Sequence, residues 1–171
     1  MTSVPDLLAH ALIGYTLATA LRLRLSWLSP EYVTVCMAGA LIPDTSKVYL
    51  VVPDGVVESM LGVSFSWYAL HTVGGVVIAV SIGVALVDRS ERRRVLGLLS
   101  LGAVSHLAAD GLLFTVSGYS KPMLWPVTRL SLPTPGLYLS TEPTPLVVAG
   151  AAAAVAWTVV RRRETTESEN S

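Results

Sequence analysis

Five apolar segments alternate with shorter polar segments along the chain, at residues 6–21, 31–43, 67–87, 95–117 and 145–160. A helix that crosses a bilayer needs about 20 apolar residues, within a range of about 17–25. The third and fourth segments have that length, the first and fifth are marginal, and the second is too short unless it packs within a bundle or spans halfway. The pattern predicts an all-α, polytopic membrane bundle of about five helices.

Composition supports this class of protein. Hydrophobic residues make up 52% of the 171 positions and charged residues 14%, with zero net charge, and the mean hydropathy is +0.60. Because no basic excess exists, we expect no nucleic-acid partner. The single Cys36 excludes an internal disulfide and a cysteine-based zinc site. We assign residues 1–163 to one membrane-embedded domain and predict that the polar tail 164–171 is disordered.

The basic residues predict an orientation, because Lys and Arg favour the cytoplasmic side of short loops. If the five segments alternate across the membrane, nine arginines fall on one side: Arg22, Arg24, Arg89, Arg92, Arg93, Arg94, Arg161, Arg162 and Arg163. Three basic residues fall on the other: Lys47, Lys121 and Arg129. We therefore expect a multi-pass protein of the plasma or inner membrane, with an outer N-terminus, a cytoplasmic C-terminus and the lipid bilayer as its partner.

Two long loops then lie outside, at residues 45–66 and 118–144. The second loop holds five prolines, which restrict the backbone. Two interpretations remain open for it: a structured connector, or a lid that shapes a substrate site.

All three histidines of the chain lie in apolar segments, at His10, His71 and His106. Ionisable groups inside a membrane are costly and usually functional. Under the predicted topology these histidines approach the outer side, as do the carboxylates of Asp44 and Asp110. The sequence therefore predicts one polar site near the outer leaflet.

His106 and Asp110 are four residues apart, so they share a face of one helix and can bind the same cation. Imidazole and carboxylate ligands suit zinc, with manganese as an alternative. The predicted ligands of one or two divalent ions are His10, Asp44, His71, His106 and Asp110. A hydrogen-bonded polar network is the alternative, with His71 bonded to Thr72 and His106 paired with Asp110. Asp6 is interpreted as a helix cap, or as a residue that orients His10.

The ordered motifs "LIPD", "SHLAADGL" and "LWP", together with His10 and His71-Thr72, resemble the YdjM-like membrane-bound metal-dependent hydrolases over residues 5–130. That family is in turn similar to the superfamily of zinc-dependent phospholipases C and single-strand nucleases. The resemblance implies that Asp44 bridges metal ions, that His71, His106 and Asp110 complete one site, and that His10 with Asp110 contributes to a second. No histidine follows His106, so the full three-metal cluster of that superfamily is not expected.

The leading hypothesis is metal-dependent hydrolysis of a phosphoester, with a small molecule or a lipid as substrate. A metal-activated water would attack, and Asp44 or Asp110 would accept a proton. The alternative is a non-catalytic membrane protein that uses the same residues for structural metal binding, assembly or transport.

Overall fold

The computed structural model describes residues 4–169, which form six α-helices and two 3₁₀ helices. The α-helices are α1 (Val4–Arg22), α2 (Pro30–Leu41), α3 (Asp54–Leu61), α4 (Val73–Ala85), α5 (Arg92–Asp110) and α6 (Thr144–Glu169). The 3₁₀ helices are Pro43–Leu50 and Trp67–His71. No β-strand forms within residues 4–169, so the all-helical class is confirmed.

Each predicted apolar segment contains one α-helix, but the helix lengths differ from the prediction. The segment 67–87 was expected to form a comfortable span, yet α4 has 13 residues, or about 20 Å. The first residues of this segment, Trp67–His71, form a 3₁₀ turn instead. α4 begins only after Thr72, whose hydroxyl accepts a hydrogen bond from the Gly75 amide at 3.3 Å. Similarly, α5 ends at Asp110, so the last seven residues of segment 95–117 lie outside it.

Among the described helices, only α6 is long and apolar enough to cross a membrane, over Thr144–Thr166. The number of crossings and the orientation of the termini therefore remain predictions. α6 continues as a helix through residues 164–169, and the disorder of the polar tail stays a prediction. The Thr165 and Thr166 hydroxyls each donate to the backbone carbonyl four residues earlier within that helix. Residues 170–171 lie outside the described residues.

The core surrounds α5, which packs against α1, α2 and α4, while α6 packs against α1. One buried cluster joins α1, α2 and α5 through Ala18, Leu28, Val33, Cys36 and Leu98. A second joins α4 to α5 through Val76, Val80, Val95, Leu99 and Ala103. The outward faces of α4 and α6 remain apolar and exposed, which is typical of surfaces that contact lipid or another protein.

The crossing of α2 and α5 is unusually close because glycines meet there. A Cβ added at Gly39 would lie 2.4 Å from the Leu99 carbonyl oxygen, and one at Gly102 would lie 2.1 Å from the Cys36 carbonyl oxygen. Such small residues allow helix backbones to approach each other. The contact places His106, one turn after Gly102, against the C-terminal end of α2.

Candidate metal centre

Four elements bring seven ionisable side chains together at one end of the bundle. α1 supplies two of them, each 3₁₀ helix supplies at least one, and the end of α5 supplies two. We call this group the histidine–aspartate cluster; its members are Asp6, His10, Asp44, Lys47, His71, His106 and Asp110. All five predicted ligands are therefore adjacent in space, although they lie up to 100 residues apart in the chain.

Asp110 lies at the middle of the cluster, within reach of all three histidines. Its Oδ2 is 2.8 Å from Nε2 of His71 and 3.5 Å from Nε2 of His106. Its Oδ1 is 3.2 Å from Nε2 of His10. The i, i+4 spacing of His106 and Asp110 gives the shared helix face that the sequence predicted.

Asp44 approaches the same ring nitrogen of His106 as Asp110 does. Its Oδ1 is 3.8 Å from Nε2 of His106, and its Oδ2 accepts a hydrogen bond from the Lys47 ammonium at 2.8 Å. Asp44 is buried, with 6% of its surface exposed, because Pro43 starts the 3₁₀ helix directly after α2 and turns the carboxylate inwards. Lys47 also reaches Oδ2 of Asp6, at 3.4 Å.

Backbone carbonyls determine which nitrogen of two histidines carries a proton. Nδ1 of His106 lies 2.7 Å from the Ala40 carbonyl oxygen, and Nδ1 of His71 lies 3.1 Å from that of Pro43. A carbonyl oxygen can only accept, so Nδ1 donates in both rings. Each Nε2 then either carries a lone pair that points at carboxylate oxygens, or it is protonated and the ring is an imidazolium. A lone pair beside a carboxylate is repulsive unless a cation lies between them.

Several buried atoms of the cluster also lack hydrogen bonds despite their close neighbours. Both ring nitrogens of His10, Nε2 of His106 and Oδ1 of Asp110 are buried and have no partner with hydrogen-bond geometry. The rings of His10 and His106 are stacked, with centroids 3.7 Å apart. Since unpaired buried polar atoms are costly, their convergence fits a cation that they would share.

Two sets of three side chains have ligand atoms within 4.8 Å of one another: His10, His106 and Asp110, and Asp44, His71 and His106. Three protein ligands with one open position are typical of catalytic zinc. His106 belongs to both sets, and its Nδ1 is already bonded to Ala40. Its single free nitrogen can complete only one of them, so the geometry suits one fully ligated ion better than two.

The charges of the cluster also suit a dication. Its three carboxylates face one ammonium, so two negative charges remain if the imidazoles are neutral. Burial of uncompensated charge is costly, and one divalent ion would neutralise these two charges.

The cluster borders a partly open surface. The Lys47 side chain is 33% exposed, whereas those of Asp110 and His71 are 14% and 12% exposed. Burial lowers the pKa of Lys47, but the carboxylates of Asp44 and Asp6 outweigh this effect and raise the pKa above its usual value. Lys47 therefore carries a positive charge beside the candidate ligands.

Two tyrosines flank the cluster. The Tyr68 ring stacks on His71 with a centroid distance of 5.7 Å, and the Tyr138 hydroxyl donates to the Ala109 carbonyl oxygen at 2.7 Å. Burial and, secondarily, the charges of Asp110 and Asp6 raise the pKa of the Tyr138 phenol to about 12. Tyr138 therefore remains neutral at physiological pH.

Sequence reasoning underestimated two members of the cluster. Lys47 was counted only as a topological charge, although its position three residues after Asp44 could have indicated a pair on one helical turn. Asp6 lies within the first turn of α1, not at its cap, and its Oδ1 is 3.4 Å from Nε2 of His10. This contact agrees with the alternative that Asp6 orients His10.

The proline-rich loop contributes no side chain to either set of candidate ligands among the described residues. Backbone hydrogen bonds attach it to the start of α4, where the Val73 and Gly74 amides donate to the Met123 and Trp125 carbonyls at 2.8 and 2.9 Å. Its Lys121 ammonium lies 4.9 Å from the centroid of the Tyr68 ring. These contacts favour the structured connector over the lid.

The model of the YdjM inner membrane protein family matches residues 6–167, and the chain belongs to that family. The match covers every member of the cluster and all six α-helices apart from a few terminal residues. The match confirms the resemblance to the YdjM-like family that the sequence motifs indicated. It also supports a membrane location for this chain. Neither the curated proteins nor the solved structures gave a significant match to this chain.

Proposed function

We propose that this chain is a membrane-bound, metal-dependent hydrolase that acts on a phosphoester. The observation that carries the proposal is the convergence of buried imidazole and carboxylate atoms that approach one another to 3.2–3.8 Å without good hydrogen-bond geometry. A purely structural polar network would be expected to satisfy these atoms internally.

The proposed ligands are His10, Asp44, His71, His106 and Asp110, and the proposed metal is zinc, with manganese as the alternative. Since His106 can complete only one of the two sets, we propose one ion that is bound by His106 and the other two members of one set, with the remaining two side chains beside it. When bound, a divalent ion supplies a Lewis acid that activates water and polarises a phosphoryl oxygen. The Ala40 and Pro43 carbonyls hold His106 and His71 with Nε2 directed into the site.

The roles of the remaining groups follow from their positions. Asp44 and Asp110 are the carboxylates placed to accept the proton released by the attacking water. Lys47 offers a partly exposed ammonium beside them, and this positive charge favours a phosphoester over an uncharged ester or amide. We propose that Lys47 binds a phosphate oxygen of the substrate.

We further propose that the protein spans the membrane several times, with the cluster near its outer side. The support is the nine-to-three division of basic residues, because Arg22, Arg94 and Arg161 lie at the opposite end of their helices from the cluster. The distance from Arg94 to Asp110 along α5 is about 24 Å. Cysteines added one at a time at exposed Thr141 and Ser90, labelled in intact cells with an impermeant maleimide, test this orientation, because the native Cys36 is buried. Labelling of Thr141→Cys alone is expected, and labelling of Ser90→Cys alone would reverse the orientation.

Elemental mass spectrometry of the purified protein tests the metal first. About one equivalent of zinc or manganese is expected in the wild type, with loss in His106→Ala and in Asp110→Ala. Asp88→Asn removes an exposed carboxylate far from the cluster and is the control. A folded wild type that binds no divalent ion after reloading would contradict the proposal.

Hydrolysis is tested separately with p-nitrophenyl phosphate and bis-p-nitrophenyl phosphate in the presence of zinc or manganese. Activity that is lost together with the metal in both alanine variants is expected. Bound metal without hydrolysis of any phosphoester would favour the non-catalytic alternative, in which the cluster serves structure, assembly or transport.

A further inference from the structure

An apolar groove lies beside the histidine–aspartate cluster, between α1, the end of α5 and the first half of α6. Its cavity has a volume of about 390 Å³, within the range of about 300–1,000 Å³ that is usual for ligand sites. Its walls are mostly aliphatic, and they include Ile13, Leu17, Leu112, Leu137, Val148 and Ala152.

The groove and the cluster share two helices. Ile13 lies one turn after His10 on α1, and Ala109, which also lines the groove, directly precedes Asp110 on α5. The Tyr138 ring lines the groove, and its hydroxyl is bonded to Ala109 next to the cluster. From His10 to Leu17 the helix rises about 10 Å. The groove therefore extends from the level of the cluster towards the opposite end of the bundle, which we call the arginine-rich end because it holds Arg22, Arg94 and Arg161.

The cluster and the groove together are complementary to an amphiphilic ligand. One end carries the proposed dication site and Lys47, which attract a phosphate, and the other end offers hydrocarbon walls with almost no polar group. The groove is also continuous with the exposed apolar face of α6, where Val147 and Val148 are 66% and 63% exposed. The helix that carries this face is long and apolar enough to cross a membrane over Thr144–Thr166, and the chain belongs to an inner membrane protein family.

We propose that the groove holds a hydrocarbon chain of a phospholipid whose phosphate lies at the histidine–aspartate cluster. This inference rests on the proposed function and names its substrate class as long-chain phospholipids. The aliphatic walls take the chain, Tyr138 separates chain and headgroup, and Lys47 with the bound cation takes the phosphate. The substrate would enter sideways from the membrane, between α5 and α6.

Photolabelling tests the chain site without any need for hydrolysis. The probe is a long-chain phosphatidic acid with a diazirine in its acyl chain, added to the full-length protein in lipid nanodiscs. Mass spectrometry is expected to locate the adducts on the groove residues of α1 and α6. An excess of dioleoyl phosphatidic acid should compete, whereas dihexanoyl phosphatidic acid should not.

Two neighbouring exposed alanines of α6 provide matched variants. Ala152 lines the groove and Ala151 does not. Ala152→Trp is expected to fill the groove and reduce its labelling at least fivefold, with unchanged metal content, whereas Ala151→Trp leaves the labelling unchanged. Equal labelling of both variants, or adducts that are no more frequent in the groove than on the exposed α4 residues Val77 and Ile78, would mean ordinary surrounding lipid and would overturn the proposal.

Failure of the groove and failure of the hydrolase are distinguishable. If phospholipid hydrolysis is found, Ala152→Trp should lower kcat/KM for the long-chain substrate about tenfold or more and leave hydrolysis of p-nitrophenyl phosphate unchanged. Hydrolysis without groove labelling would reject the chain site alone. Specific, competed labelling in a protein without hydrolytic activity would reject the proposed enzyme and reduce the groove to a lipid-binding site.

Discussion

The two ends of the helical bundle carry their charges in opposite ways. At the arginine-rich end, charges form pairs within the chain near the surface: Arg22 contacts Glu164 at 2.7 Å, and Arg94 contacts Glu91 at 3.3 Å. At the other end, three carboxylates and three imidazoles are crowded together, and both nitrogens of buried His10 and Nε2 of buried His106 lack hydrogen-bond geometry. The first arrangement is complete without a ligand, whereas the second requires a cation or additional protons.

This difference separates charges that are paired near the surface from charges that are buried without full compensation. Exposed ion pairs contribute little to stability and are screened by salt. Arg94 also lies over the Trp27 ring, 5.1 Å from its centroid, as expected for an amphipathic side chain near a membrane surface. A buried cluster with uncompensated negative charge lowers the stability of the protein, so it is expected to persist only where a ligand compensates for that charge.

The largest expected effect is the loss of metal-dependent stability in Asp110→Asn. A ligand at about 100 times its Kd stabilises a folded protein by about 2.7 kcal/mol, so zinc should raise the Tm of the wild type. The variant keeps the shape of the side chain but removes the carboxylate at the middle of the cluster, and its Tm should not respond to zinc. Differential scanning fluorimetry with and without zinc measures both. A variant that responds like the wild type would remove Asp110 from the ligand set.

The next effect concerns the helix contact that positions His106. Gly102→Ala would place a Cβ 2.1 Å from the Cys36 carbonyl oxygen, and such overpacking costs about 1–3 kcal/mol. We expect a lower Tm and weaker metal binding, because α2 and the Ala40 carbonyl must move away from α5. Gly97→Ala, on the same helix with no atom within 4 Å of the added Cβ, is the control. Equal behaviour of the two variants would show that the close crossing does not position the site.

A smaller effect is expected for Lys47→Met. The metal should be retained, because the variant removes a positive charge that opposes cation binding. Inhibition by inorganic phosphate should weaken about tenfold, or ~1.4 kcal/mol, since the proposed phosphate contact is lost. Lys121→Met removes the ammonium near Tyr68 outside the cluster and serves as the comparison. Titration calorimetry with zinc and inhibition assays with phosphate measure the two effects, and a loss of metal in Lys47→Met would contradict the assigned role.

The smallest effect should come from the arginine-rich end. Glu164→Gln breaks the contact with Arg22, and because both side chains are partly exposed, the cost should be below about 1 kcal/mol. Metal content and zinc-dependent Tm should equal those of the wild type. A change in metal binding would show that the two ends are coupled and that the contrast between them is incomplete.

Hydrophobic patterning predicted the helical class and the approximate position of five α-helices, because apolar segments of this length between charged turns have few alternatives. The i, i+4 spacing of His106 and Asp110 similarly predicted a shared face. Patterning failed where local hydrogen bonds override it: the 3₁₀ turn Trp67–His71 shortens α4, and α3 forms in a loop for which no helix was predicted.

The sequence by itself determined which chemistry the chain could carry, because three histidines in apolar segments are costly unless they are used. Only the tertiary structure decided which groups meet. The α2–α5 crossing lets the Ala40 carbonyl orient His106, the turn at Pro43 brings Lys47 beside Asp44 and Asp6, and α6 closes a groove against α1. These contacts join residues far apart in the chain, and their geometry depends on how helices pack, which no local pattern encodes.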